Sequence, residues 1–398
     1  LADRRVLLAL ASLYVTQGIP FGLAAEYLPV VLRERGASLA TIAAITWLQL
    51  PWQLKVLWAD VADRPAIRLR SRSILLALQL ALAAVVAAYA AFDVATDLRI
   101  WLGLTALAAL VAASQDVFVD ALAVRSLGPG DRGRGNVAQV AGYRLGILIG
   151  GAGLLVVVES IGARVALLSC AAIVASAAVF AFSLRTEAGA SEPKARLGVA
   201  TMIRHLVRAE TAPVIIIAAT YKLGLHVASV LIKPMCVDAQ WTKREIGLAA
   251  VTLGTAFGLL GAVVGGLVHE RVRETRALAF GAMAQTASIA PLILAALLGT
   301  PKVLTIAAIA AEHFASGLGT TVLFAALMSA TRPTNAGLHY TILTSANALA
   351  IGIGGVLGGR VADRFGYAPA FVFAMVLCAM PFTQVRRWTR AAEASAGG

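Results

Sequence analysis

Long runs without a single Asp, Glu, Lys or Arg dominate this chain of 398 residues. Eight of them cover residues 6–25, 36–54, 73–92, 165–184, 246–269, 277–301, 333–359 and 365–385. A helix crossing the hydrocarbon core of a bilayer needs about 20 mostly apolar residues, and each run is of that order. Four further apolar stretches, around 100–122, 136–158, 212–235 and 303–330, carry one or a few charges. Numbered in chain order, these are spans 1 to 12. None alternates apolar and polar residues in the manner of a membrane β-strand. The expectation is an all-α polytopic membrane protein with twelve transmembrane helices in two six-helix halves.

Composition agrees with that reading and removes others. The chain is 59% apolar and 14% charged, against about 45–50% and 25% in ordinary globular proteins. A soluble enzyme and a disordered chain are both excluded. Cys170, Cys236 and Cys378 lie far apart, so neither a disulfide scaffold nor a zinc site is expected. No Gly-x-x-x-x-Gly-Lys-Ser/Thr loop occurs, so the chain does not drive transport with ATP by itself. No cofactor, metal or catalytic residue is expected. The first run holds Gly18-Ile19-Pro20 and lacks a cleavage site, so it reads as a span rather than a signal peptide. A chain beginning at Leu1 fits a trimmed initiator residue.

Orientation follows from Lys and Arg in the loops. With the N-terminus inside, cytoplasmic segments hold 21 of the 34 basic residues and outer segments hold 10. Lys55, Arg144 and Lys222 are left within spans. A bacterial-type inner (plasma) membrane with both termini in the cytoplasm is expected. The net charge of +13 is then explained by topology and anionic lipid. Its spread over many loops argues against a nucleic-acid partner. A monomer is expected, with protons, a small-molecule solute and the bilayer as partners.

Residues 185–211 form the longest polar segment. They read as a cytoplasmic linker between an N-terminal bundle, 1–184, and a C-terminal bundle with a short tail, 212–398. The halves echo each other weakly. Span 4 ends in a polar turn, Pro129 to Gly135, followed by Asn136 and a span with Gly142, Gly146 and Gly150. Span 10 ends at Arg332-Pro333-Thr334, followed by Asn335 and a span with Gly352, Gly354, Gly355, Gly358 and Gly359. Two six-helix repeats resemble the layout of the major facilitator superfamily, in which substrate sits between the halves. Glycines four residues apart (also Gly254/Gly258 and Gly261/Gly265) let helix backbones approach closely. They serve packing, and smooth faces of this kind also allow sliding.

An ionisable residue inside the bilayer costs roughly 2.5–3.5 kcal/mol on insertion scales and is a functional candidate by default. Lys55, Asp116, Asp120 and Arg144 fall at one depth, in the cytoplasmic third. Asp116 and Asp120 are four apart and share a helix face. The four read as a charge network, either a gate that breaks and re-forms or a static staple. Near the midplane lie Lys222, His226, Glu312 and His313, with Tyr14 and Gln17 at similar depth on span 1. Glu312 is the candidate for the coupling proton, since low dielectric favours the neutral carboxyl. Lys222 is placed either to hold a substrate carboxylate or to pair with Glu312. His226, His313, Tyr14 and Gln17 are the other candidates for substrate binding. Glu26 reads as part of a solvated vestibule, and His205, His269 and His339 as loop or span-end residues.

Several motifs then resemble one family. They are Leu50-Pro51-Trp52-Gln53-Leu54-Lys55-Val56-Leu57-Trp58-Ala59 with Asp63-Arg64, Ser114-Gln115-Asp116 with Asp120, Ala141-Gly142-Tyr143-Arg144-Leu145-Gly146, and Tyr221-Lys222-Leu223-Gly224. Together they are similar to the AmpG-like permeases, which include muropeptide importers, siderophore-importing relatives and more distant acetyl-CoA transporters. The resemblance implies the major facilitator fold and proton-linked import of a sizeable polar solute. Lys55, Asp116, Asp120, Arg144 and Lys222 match its motif positions. Two departures shift weight towards the siderophore-type relatives. Leu225, followed by His226, stands where muropeptide permeases carry an acid, and the chain lacks their two extra spans. The superfamily's Gly-x-x-x-Asp-Arg loop signature is partial at Asp63-Arg64. A fuller copy, Gly359 to Arg364, lies on the outer side, where it reads as coincidence or as a miscounted topology.

The function expected is secondary active transport by alternating access, as proton-coupled import of a siderophore-like or muropeptide-like solute. Efflux of a drug or metabolite by the same fold is the alternative. A channel would need rings of one chemistry. An intramembrane enzyme would need more than Ser316 near His313 on one helix.

Overall fold

A computed structural model describes residues 4–58, 71–126, 132–179, 212–329 and 336–385. The polar linker 185–211, Asp63-Arg64, His205, and the turns at Pro129 and Arg332 lie outside these residues, as does the side chain of His339. The described residues are helical and contain no strand. In a bilayer every backbone N–H and C=O must be satisfied within the segment, which selects helices. Among the described residues, nine helices are long and apolar enough to span, from Val6–Glu34 to Tyr367–Val385. Two shorter apolar helices, Leu39–Trp52 and Ala163–Ser176, stand at spans 2 and 6. Helix Ala336–Phe365 stands at span 11.

Several spans are not regular α-helices. Wider π-turns interrupt span 1 at Leu23–Tyr27, span 5 at Ile149–Gly153 and span 8 at Gly247–Leu253. Such insertions are frequent at functional sites. Span 7 is broken. One helix runs Ala212–Thr220, Tyr221 and Lys222 form a turn, and a second helix runs Leu223–Asp238. Discontinuous spans of this kind are a recurring way to place polar groups at mid-membrane in transporters.

Contacts divide the chain into two compact units. The first comprises Leu1–Gly36, Ile45–Glu192 and Thr242–Val251. The second comprises Ala37–Ala44, Pro193–Trp241 and Thr252–Gly398. Two short segments are therefore exchanged relative to a division at the linker. They are the first turns of span 2 and the first turns of span 8.

Glycine sets the packing in both units. In the first, Gly142, Gly146 and Gly150 of span 5 lie against the carbonyl oxygens of Ala11, Val15 and Ile19 on span 1. A Cβ at Gly146 or Gly150 would overlap the facing oxygen. In the second, Gly354 and Gly358 of span 11 lie against the carbonyls of Leu223 and Val227 on span 7. The same register recurs, with glycines four apart set against carbonyls four apart, so the weak sequence echo is a shared packing rule. Gly261 and Gly317 likewise bring spans 8 and 10 together, against Phe314 O and Gly258 O respectively. Around these seams sit apolar clusters built on Leu10, Leu13 and Val119 in the first unit, and on Tyr221, Leu278 and Leu323 in the second.

Candidate functional site

In the first unit, charge gathers around Lys55. The helix Leu50–Leu54 gives way to a tighter turn at Lys55–Leu57. From that turn the ammonium pairs with Asp116 and lies 3.5 Å from Asp120. Both acids stand on the helix Leu98–Ser126, one turn apart. The Asp116 side chain is 7% exposed and that of Asp120 39%. Tyr14 Oη donates to Asp120 at 2.8 Å and Gln139 Nε2 donates at 3.3 Å. Two carboxylates share one ammonium, so one of them can carry a proton while Lys55 keeps an ionic partner. Thr16, Gln79 and Gln115 form a buried polar chain beside this group, Thr16 and Gln115 each donating to the Gln79 carbonyl oxygen.

The expected network of four charges is thus a cluster of three. Arg144, half-buried on span 5, has no ion pair among the described residues. It follows Tyr143, whereas the glycines facing span 1 are Gly142 and Gly146. Helical geometry turns residue 144 about 160° away from Gly146.

In the second unit, the break in span 7 exposes the start of a helix at Lys222. The residue is 4% exposed. Its ammonium donates to Ser316 O and Ser316 Oγ at 3.0 Å each, and to Thr320 Oγ1 at 2.7 Å. Glu312 lies one turn before Ser316 on the helix Lys302–Ser329 and is 1% exposed. It accepts a hydrogen bond from Ser229 Oγ, and His313 Nδ1 is 2.8 Å from its other oxygen. The same nitrogen is 3.0 Å from Ile309 O. Glu312, Ser316 and Thr320 therefore line one face of span 10. Lys222 binds the two hydroxyls and does not pair directly with the acid. His226, one turn beyond Lys222, lies beside Gly354. The His313 ring lies over Gly254, where a Cβ would come within 2.6 Å. On span 1, Gln17 is buried with its amide nitrogen unpartnered.

Sequence reasoning did not single out Gln139, Ser229, Thr320 or the chain Thr16–Gln79–Gln115. One signal was available. Ser316 and Thr320 follow Glu312 at helical spacing, and Ser229 follows His226 by three, so each lies on a face already marked by charge. Hydroxyls and amides are common inside spans, which dilutes that signal.

Comparison with known proteins adds to this geometry. The sequence pattern of the Major Facilitator Superfamily matches residues 6–354. A putative transporter AmpG 4 of Rickettsia conorii is 26% identical over 378 residues, covering 91% of each chain. The anhydromuropeptide permease of Escherichia coli is 26% identical over 377 residues, covering 92% of this chain and 75% of the permease. The solved structure of the nucleoside transporter NupG superimposes with a TM-score of 0.73 at 11% identity, covering 97% of this chain and 99% of the other.

Proposed function

The chain belongs to the major facilitator superfamily, and from that premise we propose proton-coupled import of a medium-sized polar organic solute by alternating access. A multi-pass membrane transporter with AmpG-like relatives, rather than an enzyme, is already given by the family and those relatives. The finer reading rests chiefly on one observation. Glu312 is fully buried and holds its hydrogen bonds to Ser229 and His313, while the nearby Lys222 is bound, among the described residues, by neutral oxygens. A carboxyl in that setting, with a titratable imidazole beside it, can exchange a proton without breaking a direct pair with Lys222. The Lys222 ammonium remains available to an anionic group of the solute, which would replace its hydroxyl partners. In the first unit, the Lys55–Asp116–Asp120 cluster serves as a second charge device coupled to opening and closing, with Tyr14 holding Asp120 in place.

The solute is either muropeptide-like, as the name of the Escherichia coli relative suggests, or siderophore-like, as Leu225 suggests. Both are polar, carry anionic groups and exceed a simple sugar in size. The test is uptake into proteoliposomes of labelled anhydromuropeptide and of a ferric siderophore, with and without an inward proton gradient. Gradient-dependent accumulation of one of them supports the reading and identifies the solute. Accumulation that ignores the gradient removes proton coupling. Gradient-driven loss of a preloaded solute from the vesicles reverses the direction to efflux.

A further inference from the structure

The Lys222 ammonium sits in a nest of oxygens on span 10. Its three partners are Ser316 O and Ser316 Oγ at 3.0 Å and Thr320 Oγ1 at 2.7 Å. An ammonium has three hydrogens to donate, so each finds one acceptor. The Thr320 hydroxyl gives its own hydrogen to Ser316 O, at 2.7 Å. Its lone pairs are therefore left for the cation. Glu312 stands one turn earlier on the same face, about 6 Å along the axis, with Ser229 and His313 on its oxygens. A buried acid is thus near the nest without entering it.

Backbone packing, not the ammonium, holds these oxygens in place. A Cβ at Gly317 would overlap Gly258 O on span 8, and one at Gly319 would come within 2.7 Å of the Gln285 amide on span 9. Ser316 and Thr320 are thus set in a stretch of span 10 fixed against two neighbours. On span 7, Tyr221 is 0% exposed and donates to Leu278 O at 2.8 Å, which anchors the backbone at the break. Only the flexible four-carbon stem of Lys222 has to turn for the ammonium to leave.

The nest has a definite size. Mg²⁺ binds oxygens at about 2.0–2.1 Å and Ca²⁺ at about 2.3–2.6 Å, both with carboxylates among their ligands, and Na⁺ is close to Ca²⁺ in radius. Three uncharged oxygens at 2.7–3.0 Å from one point are too open for these ions and suit K⁺, Rb⁺ and ammonium. Uncharged protein oxygens can replace the hydration shell of K⁺. Emptying the nest strands its acceptors beside a buried acid, which is costly. A proton on Glu312 would cancel the acid but supply no partner to Ser316 and Thr320. A monovalent cation in the nest does both.

We propose that Ser316 O, Ser316 Oγ and Thr320 Oγ1 form a site for a potassium-sized monovalent cation, which takes the place of the Lys222 ammonium when Lys222 turns to an anionic group of the solute. Lys222 is a tethered occupant, and the ion is its exchange partner. Water or oxygens of the solute complete the shell of the ion. The exchange rests on the transport reading above. The site itself does not, since its oxygens already hold a cation in this structure.

The experiment measures binding of radioactive Rb⁺ to the purified full-length chain in detergent, and unfolding midpoints in chloride salts of choline, Li⁺, Na⁺ and K⁺ at one ionic strength. Lys222→Ala empties the nest. It should bind Rb⁺ saturably, about tenfold more tightly than the wild type, whose ammonium blocks the site, and K⁺ should compete about tenfold better than Na⁺. Adding Thr320→Val should weaken Rb⁺ binding about tenfold, the scale of one lost ligand, and Thr320→Ser should keep it. K⁺ should also raise the midpoint of Lys222→Ala above its value in choline or Na⁺, so an unstable variant still reports on the site. The wild type should not distinguish the salts. A Lys222→Ala protein that melts alike in every salt and binds no Rb⁺ overturns the site. So does a preference for Na⁺ or Li⁺, or a response untouched by Thr320→Val. The wild type tests the exchange separately, because the solute that proteoliposomes accumulate should raise its Rb⁺ binding about tenfold. Unchanged binding overturns the exchange and leaves the site standing. If no solute is accumulated, the exchange falls with the transport reading, and the Lys222→Ala result decides the site alone.

Discussion

The Asp363 carboxylate accepts hydrogen bonds from two successive backbone N–H groups, those of Leu39 at 2.8 Å and Ala40 at 2.9 Å. Those groups open the helix Leu39–Ala44, where no carbonyl of the preceding turn is available to them, and a negative charge there also meets the positive end of the helix dipole. One turn before the acid, Gly359 lacks the Cβ that would sit 2.5 Å from Leu39 O. Gly359 and Asp363 are thus a docking motif for the first turns of span 2, which explains the fuller signature that looked misplaced in the sequence. Asp363→Ala should destabilise the protein by about 0.5–2 kcal/mol, the scale of losing a side-chain acceptor at a helix start. Asp363→Asn keeps one acceptor oxygen and should lose less. Thermal unfolding in detergent ranks the two, and equal midpoints for wild type and Asp363→Ala would contradict the docking role.

A matching contact occurs in the first unit. Glu159 accepts from the N–H of Lys243 at 3.0 Å, and the Lys243 ammonium pairs with Glu34 at 2.8 Å. The start of span 8 is also closed by a capping box between Thr242 and Glu245. Removing Glu159 therefore leaves other support, and Glu159→Ala should shift the midpoint less than Asp363→Ala. Parallel melts of the two variants decide the order.

Glycine substitutions should separate by what faces them. A Cβ at Gly146 would overlap Val15 O, while Gly266 has open space around it. Gly146→Ala is expected to lower folded yield and unfolding midpoint, because backbone rather than a flexible side chain must move. Gly266→Ala should be neutral or stabilising by up to about 1 kcal/mol, the helix-propensity gain. Equal behaviour of the two would mean that the span 1–span 5 seam adjusts freely.

The charge cluster of the first unit predicts an asymmetry between its acids. Asp116 is the direct and more buried partner of Lys55. Asp116→Asn should therefore impair folding more than Asp120→Asn, since it removes the closer ionic partner of Lys55 and leaves only Asp120 at 3.5 Å. Arg144 makes no pair with either acid, so the effect of Arg144→Gln should add to that of Asp116→Asn within about 0.5 kcal/mol. A larger coupling in a double-mutant cycle would place Arg144 in the network after all. If Asp116→Asn transports normally, the cluster is not a gate.

Glu312→Gln should abolish gradient-driven accumulation and spare solute exchange, because a neutral amide keeps the shape and the acceptor for Ser229 but cannot carry the proton. Counterflow and gradient-driven uptake on one vesicle preparation separate the two activities. Unchanged proton dependence removes Glu312 from the mechanism.

The positions of the spans were legible in sequence because hydrocarbon imposes a local rule. About 20 residues must be apolar wherever the chain crosses, and charge-free runs show that without knowledge of any neighbour. The helices found at the expected span positions, broken and irregular ones included, follow from this rule. Residues that break it were legible for the same reason. Lys55, Asp116, Asp120, Lys222 and Glu312 stood out as charges in apolar surroundings.

The pairing of those residues was not legible. Asp116 and Asp120 look alike in the chain, and only tertiary packing gave Asp116 the direct partner and left Asp120 the more open of the two. Lys222 and Glu312 invited a salt bridge, yet Lys222 reaches Ser316 and Thr320, one and two turns further along the same face. The rings of Phe21, Trp52 and Tyr143 form a triangle, a contact that no helical period encodes. The sequence by itself determined how many helices cross, which residues violate the apolar rule, and the family. The tertiary structure alone decided which of them touch, because side-chain contacts between helices depend on the rotation and closeness of each span. At the span 1–span 5 seam those were set by backbone meeting backbone at Gly142, Gly146 and Gly150.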